Sequence, residues 1–173
     1  MTPLHRAARV ANNDMVARLL ARAADPNAFT YRGRAPSNLH PLACLGEADQ
    51  RLLDYNAVIR TTAALAENMY EATFAGQNQN GQTLWHFMAQ RGNKDQLAFL
   101  LGWFSNRFGR AVLANQLNIT NTDGKSVKDS AMYNAAIRDM IQAGGGRNFA
   151  PPPARMPGFK LSKGDHWHRQ TRR

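Results

Sequence analysis

The sequence repeats a short pattern at widely separated positions, and this internal repetition limits the possible folds more than any other feature. The pattern first appears as Thr2-Pro3-Leu4-His5, followed by Ala7-Ala8. It returns as Thr83-Leu84-Trp85-His86, followed by Ala89, at a constant offset of 81 residues. Repeated units are too small to bury an apolar core alone, so they stack on their neighbours. The sequence therefore predicts a stacked array of similar units.

Two weaker copies complete the series. Residues 33–47 contain Leu39-His40 and Ala43 in the same order, and residues 123–145 contain a fainter version. A glycine precedes three of the copies, as Gly33, Gly81 and Gly124. Glycine is preferred where a turn needs a positive φ, so each is predicted to form the turn before a helix.

Helical periodicity follows the first copy of the pattern. Apolar residues between positions 15 and 23 recur at intervals that place them on one face of a helix. Pro3 suits the first turn of a preceding helix, and Thr2 can cap it. We expect one helix from about residue 3 to residue 10 and a second from about residue 14 to residue 23.

These features resemble the ankyrin repeat, a unit of about 33 residues that consists of a turn and two helices. The resemblance is carried by Thr2-Pro3-Leu4-His5 with Ala7-Ala8, and by the closing Ala24-Asp25-Pro26-Asn27-Ala28. It covers roughly residues 1–145. The resemblance implies an all-α solenoid of about four helix-turn-helix units.

The units are unequal in length. We place the repeat domain at residues 1–146, and a basic, Pro-containing tail at residues 147–173. The copies span about 1–28, 29–75, 76–118 and 119–146. The turn glycines are 48 and 43 residues apart, so the second and third copies are enlarged. We expect a long or broken second helix within 48–74 and an added amphipathic turn or helix within 104–118.

The first copy begins directly at its first helix, without a preceding hairpin. Repeat arrays need terminal units that shield the core. Either the chain is the end of a longer protein, or it begins with an atypical cap.

The chemistry-bearing residues favour structural roles. His5, His40 and His86 share one repeat position. The resemblance implies that such a histidine forms hydrogen bonds between backbone elements and neighbouring repeats, so we predict no catalytic residue, metal or cofactor. Asp165, His166 and His168 are too few ligands for a convincing zinc site. Cys44 has no base or orienting partner that the sequence can place nearby.

The resemblance also implies a protein partner, bound by the hairpin tips and the concave face of the first helices, and no small-molecule substrate. The predicted partner-binding residues are Arg9, Val10, Tyr31, Arg32, Arg34, Leu45, Gln79, Asn80, Gln82, Gln90, Arg91 and Lys125. Tyr31 with Arg32 and Arg34 forms the strongest cluster, because aromatic and arginine side chains dominate interface energies.

The charge of the chain adds a second possibility. The net charge is +10, and residues 151–173 contribute half of it, with six basic residues and one acid. This balance favours a protein partner with an acidic surface, although nucleic acid or an anionic membrane remains an alternative. The predicted tail contacts are Lys160, Lys163, Trp167 and Arg169. Phe159, Leu161 and Trp167 offer a further alternative, in which the tail docks onto the array and caps it.

These observations favour a non-enzymatic interaction module. The irregular, Arg- and Ala-rich repeats are similar to ankyrin modules of secreted bacterial effectors, which engage host proteins. As an alternative, the chain is the substrate-recognition part of a larger effector enzyme. There is no run of 18 or more apolar residues and no recognisable secretory signal. We therefore expect a cytoplasmic protein, or one delivered into a host cell.

Overall fold

The structure is a computed structural model that describes residues 1–32, 35–36, 41–45, 54–91, 94–131 and 134–147. These residues form ten helices and one pair of two-residue strands. The helices are α1 (Pro3–Arg9), α2 (Asn13–Ala21), α3 (Pro41–Leu45), α4 (Tyr55–Glu67), α5 (Glu71–Ala75), α6 (Leu84–Arg91), α7 (Lys94–Phe108), α8 (Arg110–Leu117), α9 (Val127–Ser130) and α10 (Ala135–Ala143). The strands are β1 (Tyr31–Arg32) and β2 (Ala35–Pro36).

The helices stack in two layers. In the first layer α1 packs on α3, α3 on α6, and α6 on α9. In the second layer α2 packs on α4, α4 on α7, and α7 on α10. Helices of the two layers also contact each other within a pair, as α1 does with α2 and α9 with α10. This arrangement confirms the predicted all-α fold.

The first pair begins and ends close to the predicted residues. Thr2 caps α1 and forms a capping box with His5, and Asn12 caps α2 through its side chain. The observed helix ends differ from the predicted ones by one or two residues, which is the usual variation at frayed helix ends.

The regions predicted to be enlarged contain two further helices, α5 and α8. The second helix of the second copy is broken at residues 68–70, so that α5 follows α4 as a separate short helix. In the third copy α8 follows α7 after Gly109, which has a φ of 97° and occupies the N-cap position of α8. The predictions of a broken helix and an added helix are both confirmed.

Trp85 ties the added helices to the array. Its indole Nε1–H donates to Oε1 of Gln116 on α8 at 2.8 Å, and Gln116 Nε2 donates to the Glu71 carbonyl of α5 at 3.4 Å. The ring of Trp85 is fully buried. Trp85 therefore fills the space that α5 and α8 enclose.

An aromatic cluster forms the centre of the core. Phe104 has its ring centroid 5.0 Å from that of Phe74, 5.4 Å from that of Trp85 and 4.7 Å from that of Phe108. Trp103 stacks on Phe74 at 6.1 Å. These rings come from α5, α6 and α7, so they join the second and third copies into one core.

The first hairpin is described through its backbone. β1 and β2 pair in antiparallel register, with Tyr31 opposite Pro36 and Arg32 opposite Ala35. The predicted turn glycine Gly33 lies outside the described residues, as does His40. Among the helices that the structure describes, none is long and apolar enough to cross a bilayer.

Candidate protein-interaction surface

His5 and His86 cap helices, and His86 also bonds to the following unit. Thr2 N–H donates to His5 Nδ1 at 3.3 Å, and Thr83 N–H donates to His86 Nδ1 at 3.1 Å. His86 Nε2 also bonds to the Lys125 carbonyl of the next unit at 3.2 Å. The predicted structural role is therefore confirmed for His86.

The environment of His86 favours its neutral form. Because Nδ1 accepts a backbone N–H, the ring proton belongs on Nε2, where it can be donated to the Lys125 carbonyl. Burial lowers the pKa of His86 below its ordinary value of 6.5, and the hydrogen bond to Lys125 opposes this shift. In the fourth copy the equivalent position is Asp129, which forms the same capping box with Ser126.

Two hairpin turns with the same geometry lie beside these caps. The Asn78 side chain accepts the N–H groups of Asn80 and Gln82 at 2.8 and 2.9 Å. The Asn121 side chain accepts those of Asp123 and Lys125 at 3.0 and 2.9 Å. Each asparagine therefore acts as the organising residue of its turn.

The glycine three residues after each asparagine completes the turn. Gly81 and Gly124 have φ values of 68° and 72°, which confirms the predicted turn glycines. A Cβ atom on Gly81 would lie 2.7 Å from the Thr122 backbone nitrogen, so the two turns are in close contact. The Thr122 N–H and hydroxyl both donate to the Asn80 carbonyl at 3.0 Å. The two hairpin tips are thus joined edge to edge.

A surface cleft of about 290 Å³ opens between the third and fourth units, beside these turns. We call it the hairpin cleft. Its lining residues are Gln82, Gln90, Asn121, Asp123, Lys125, Asp129 and Ser130. Gln90 belongs to the exposed end of α6, and Asp123 and Lys125 are exposed at the second hairpin tip. The cleft therefore combines a helix face with a hairpin tip.

Three of the predicted partner-binding residues meet in the hairpin cleft, namely Gln82, Gln90 and Lys125. Three more lie beside it. Gln79 and Asn80 are exposed in the first of the two tips, and Arg91 is exposed next to Gln90 at the end of α6.

The other predicted residues lie elsewhere. Arg9 and Val10 are exposed at the end of α1, outside the cleft. Tyr31 and Arg32 form β1, described through its backbone, and Arg34 lies outside the described residues. The predicted tail contacts Lys160, Lys163, Trp167 and Arg169 also lie outside them.

Leu45 was wrongly predicted to face a partner. Its side chain is completely buried, as is that of its neighbour Cys44. All five residues of α3 are buried because this short helix packs against α1, α4 and α6. Leu45 therefore contributes to the core and cannot contact a partner in this structure.

Asn121, Asp123, Asp129 and Ser130 line the cleft but are absent from the list of predicted partner-binding residues. The role of Asn121 could have been predicted from the sequence, because Asn-x-x-Gly occurs at both 78–81 and 121–124. Asparagine side chains readily bond to backbone N–H groups two residues onward in turns. The repeat of this spacing at an interval of 43 residues would have identified both organising asparagines.

No cluster of three or more His, Cys, Asp or Glu residues suited to a metal ion occurs in the part of the chain that the structure describes. The hairpin cleft contains amide, carboxylate, hydroxyl and ammonium groups. Such groups can bind the backbone and polar side chains of a protein.

The comparison with protein families agrees with this architecture. The family model of the ankyrin repeat matches residues 1–31, which contain α1 and α2. No curated protein matches the sequence. Ankyrin repeats are typically non-enzymatic modules that mediate protein–protein interaction. Residues 1–31 therefore match an ankyrin repeat, and further helix pairs stack on this first unit.

Proposed function

We propose that this chain is a non-enzymatic module that binds a partner protein through the hairpin cleft and the two adjoining hairpin tips. The observation that supports this proposal most directly is the meeting of Gln82, Gln90 and Lys125 in one cleft of about 290 Å³. Sequence reasoning selected these residues from their repeat positions alone. Their convergence on one recess is the arrangement that a binding site requires.

The cleft is built on a rigid frame. The two turns are held by side-chain amides and joined by the bonds between Thr122 and Asn80. The His86 side chain also holds the second turn in place, because its Nε2 hydrogen-bonds to the Lys125 carbonyl. A preformed surface loses little conformational entropy on binding, which favours affinity.

The chemistry of the cleft favours a polar segment of the partner. Asp123 and Lys125 present opposite charges at one tip, and Gln90 adds an amide that can both donate and accept. An extended peptide offers alternating backbone donors and acceptors to such groups. The net charge of +10 further favours a partner with an acidic surface.

The test is an affinity capture with the full chain as bait, followed by mass spectrometry and titration of the captured partner. The double variant Gln90→Ala with Lys125→Ala should weaken binding by about 2 kcal/mol or more if these are central contacts. Asn106→Ala is the matched control, because Asn106 is exposed on α7 and lies outside the cleft. Equal affinity for the double variant and the wild type would rule out the hairpin cleft as the site.

The first hairpin provides a separate test. Tyr31→Ala combined with Arg34→Ala should weaken the same partner by about 2 kcal/mol or more, because tyrosine and arginine are enriched among dominant interface residues. An unchanged affinity with an intact fold would confine the interface to the third and fourth units.

The basic tail favours nucleic acid or anionic lipid as a second candidate partner, and salt distinguishes the two. Binding that depends on phosphate contacts should fall by orders of magnitude between about 50 and 200 mM salt. Binding through the hairpin cleft should change far less, since its lining residues include only one cation. A steep decline that disappears after Lys160→Ser and Lys163→Ser would assign the binding to the tail.

A further inference from the structure

An apolar groove of about 350 Å³ lies in the second helix layer, between α7, α8 and α10. Its floor contains Leu101 and Leu113, which are 8% and 2% exposed, and Met140 forms part of one wall. Gly102 widens the groove, because a Cβ atom at that position would have no neighbour within 4 Å. We call it the helix groove.

The helix groove is suited to one or two side chains of an extended segment. Its volume lies at the low end of the range of about 300–1,000 Å³ typical of binding clefts. The floor is apolar, and Arg110 is the charged residue among those that line it. The Arg110 guanidinium donates to the Ala143 carbonyl at 2.9 Å, so its position is fixed across the groove. A guanidinium held in this way can lie against an aromatic ring.

We propose that the tail of this same chain occupies the helix groove, with Phe159 and Leu161 inserted and Lys160 directed outward. The sequence Phe159-Lys160-Leu161 alternates apolar, basic and apolar residues. In an extended segment such alternation places the first and third side chains on one side and the second on the other. The segment therefore matches a groove with an apolar floor.

The path of the chain makes this docking feasible. The Arg147 N–H donates to Asn118 Oδ1 at 2.8 Å, so the chain passes the end of α8 just before the tail. Leu113 lies five residues earlier on α8, which is about 7.5 Å along the helix. The twelve residues from 148 to 159 can span up to about 40 Å. The tail is therefore long enough to turn back to the groove.

Tethering and charge both favour the tail over a separate molecule. A segment attached by a short linker has an effective concentration in the millimolar range. Asp95 and Asp139 are exposed on the two long walls, three and four positions before the lining residues Ala98 and Ala143. Their carboxylates offset the positive charge of Arg110 and favour the basic residues of the tail.

This inference goes beyond the proposed function, because it concerns the opposite helix layer from the hairpin cleft. It assigns the tail a shielding role, in which its apolar side chains cover the apolar floor between α7, α8 and α10.

Nuclear magnetic resonance of the full chain labelled at the methionine methyl groups tests the proposal. Met140 is the reporter, and its resonance is assigned with Met140→Leu. We expect cross-relaxation between the Met140 methyl group and aromatic ring protons of Phe159. The double variant Phe159→Ser with Leu161→Ser should abolish this signal and shift the Met140 resonance.

Filling the groove provides the complementary variant. Gly102→Leu should displace the tail and abolish the same signal, while trypsin cleavage after Lys160 becomes faster. Gly102→Ala is the matched control, because it makes a similar helix-stabilising change with only one methyl group. It should leave the signal in place.

Three outcomes would overturn the proposal. The first is a Met140 resonance that is unaffected by both Phe159→Ser with Leu161→Ser and Gly102→Leu. The second is a Met140 resonance that shifts in Trp167→Ser but not in the double variant Phe159→Ser with Leu161→Ser. The third is a signal that disappears on dilution together with a dimer mass in light scattering, which would identify a second copy as the occupant.

Discussion

His86 shows how one residue can connect a helix cap, a hairpin and the pH dependence of stability. Its imidazole is buried and neutral, with Nδ1 accepting from Thr83 and Nε2 donating to Lys125. Because burial lowers its pKa in the folded chain, the unfolded chain binds a proton more readily than the folded one. Neutral His86 therefore makes its full contribution to the free energy of unfolding above pH 6.5, and this contribution decreases as the pH falls below 6.5.

We accordingly expect the free energy of unfolding to fall as the pH is lowered from about 7.5 to 5.5. Urea denaturation at both pH values measures the change. His86→Gln should lower stability at neutral pH and reduce its dependence on pH. A variant with the same pH dependence as the wild type would show that other groups are responsible.

Two adjacent threonines in α4 differ in their hydrogen bonding. Both are fully buried, but Thr61 Oγ1 has no hydrogen-bond partner among the described residues, whereas Thr62 Oγ1 donates to the Val58 carbonyl and accepts from Gln96. Thr61→Val should therefore leave the free energy of unfolding within about 0.5 kcal/mol of the wild type or raise it. Thr62→Val should lower it by about 1–2 kcal/mol. Chemical denaturation of the pair checks this, and equal effects would contradict it.

At the scale of single elements, the hairpin turns depend on close approach as well as on backbone conformation. Gly81 and Gly109 both have positive φ, but only Gly81 faces a neighbouring backbone atom within 3 Å. Gly81→Ala should therefore be more destabilising than Gly109→Ala by about 1–3 kcal/mol, the usual cost of overpacking. Thermal unfolding of the two variants measures the difference, and equal losses would mean that conformation alone governs both sites.

The prediction of elements from sequence succeeded where a repeated pattern defined the position. The helices after Thr2 and Thr83 and the turns at Gly81 and Gly124 all follow from residues that recur at fixed spacing. Each carries a local physical signal, such as a cap or a positive φ, which does not require knowledge of the rest of the fold.

The prediction failed at α3 for an equally physical reason. Its sequence, Pro-Leu-Ala-Cys-Leu, is apolar throughout, so periodicity cannot distinguish a buried face from an exposed one. The burial of Leu45 results from the three helices around it, and contacts so distant in sequence leave no local pattern. The sequence predicted only some of the residues that line the hairpin cleft. Asp129 and Ser130 line it because α9 packs on α6, and the sequence alone does not show this contact.

At the scale of the molecule, the added helices change how the array holds together. In a regular array each unit contacts only its neighbours, and stability is close to a sum over units. Here the aromatic cluster joins residues of α5, α6 and α7, and Gln116 of α8 bonds to Trp85 within it. We therefore expect the second and third copies to unfold as one cooperative block.

Phe104→Leu tests this expectation. The substitution should lower the free energy of unfolding by about 1–3 kcal/mol and increase amide hydrogen exchange in α5, α7 and α8 together. Val16→Ala is the matched control, because Val16 is fully buried in α2, within the first pair. An exchange increase confined to α7 in the Phe104 variant would show that the copies unfold separately.

The geometry of the two Asn-x-x-Gly turns has a consequence for how this protein could acquire new specificity. The first and fourth residues of each turn define its shape, and the Thr122 hydroxyl joins the two tips, but the side chains of Gln79, Asn80 and Asp123 are not needed by either turn. These three positions are therefore open to exchange at little cost to folding. Libraries randomised there would alter what the surface recognises while the scaffold that presents it stays the same.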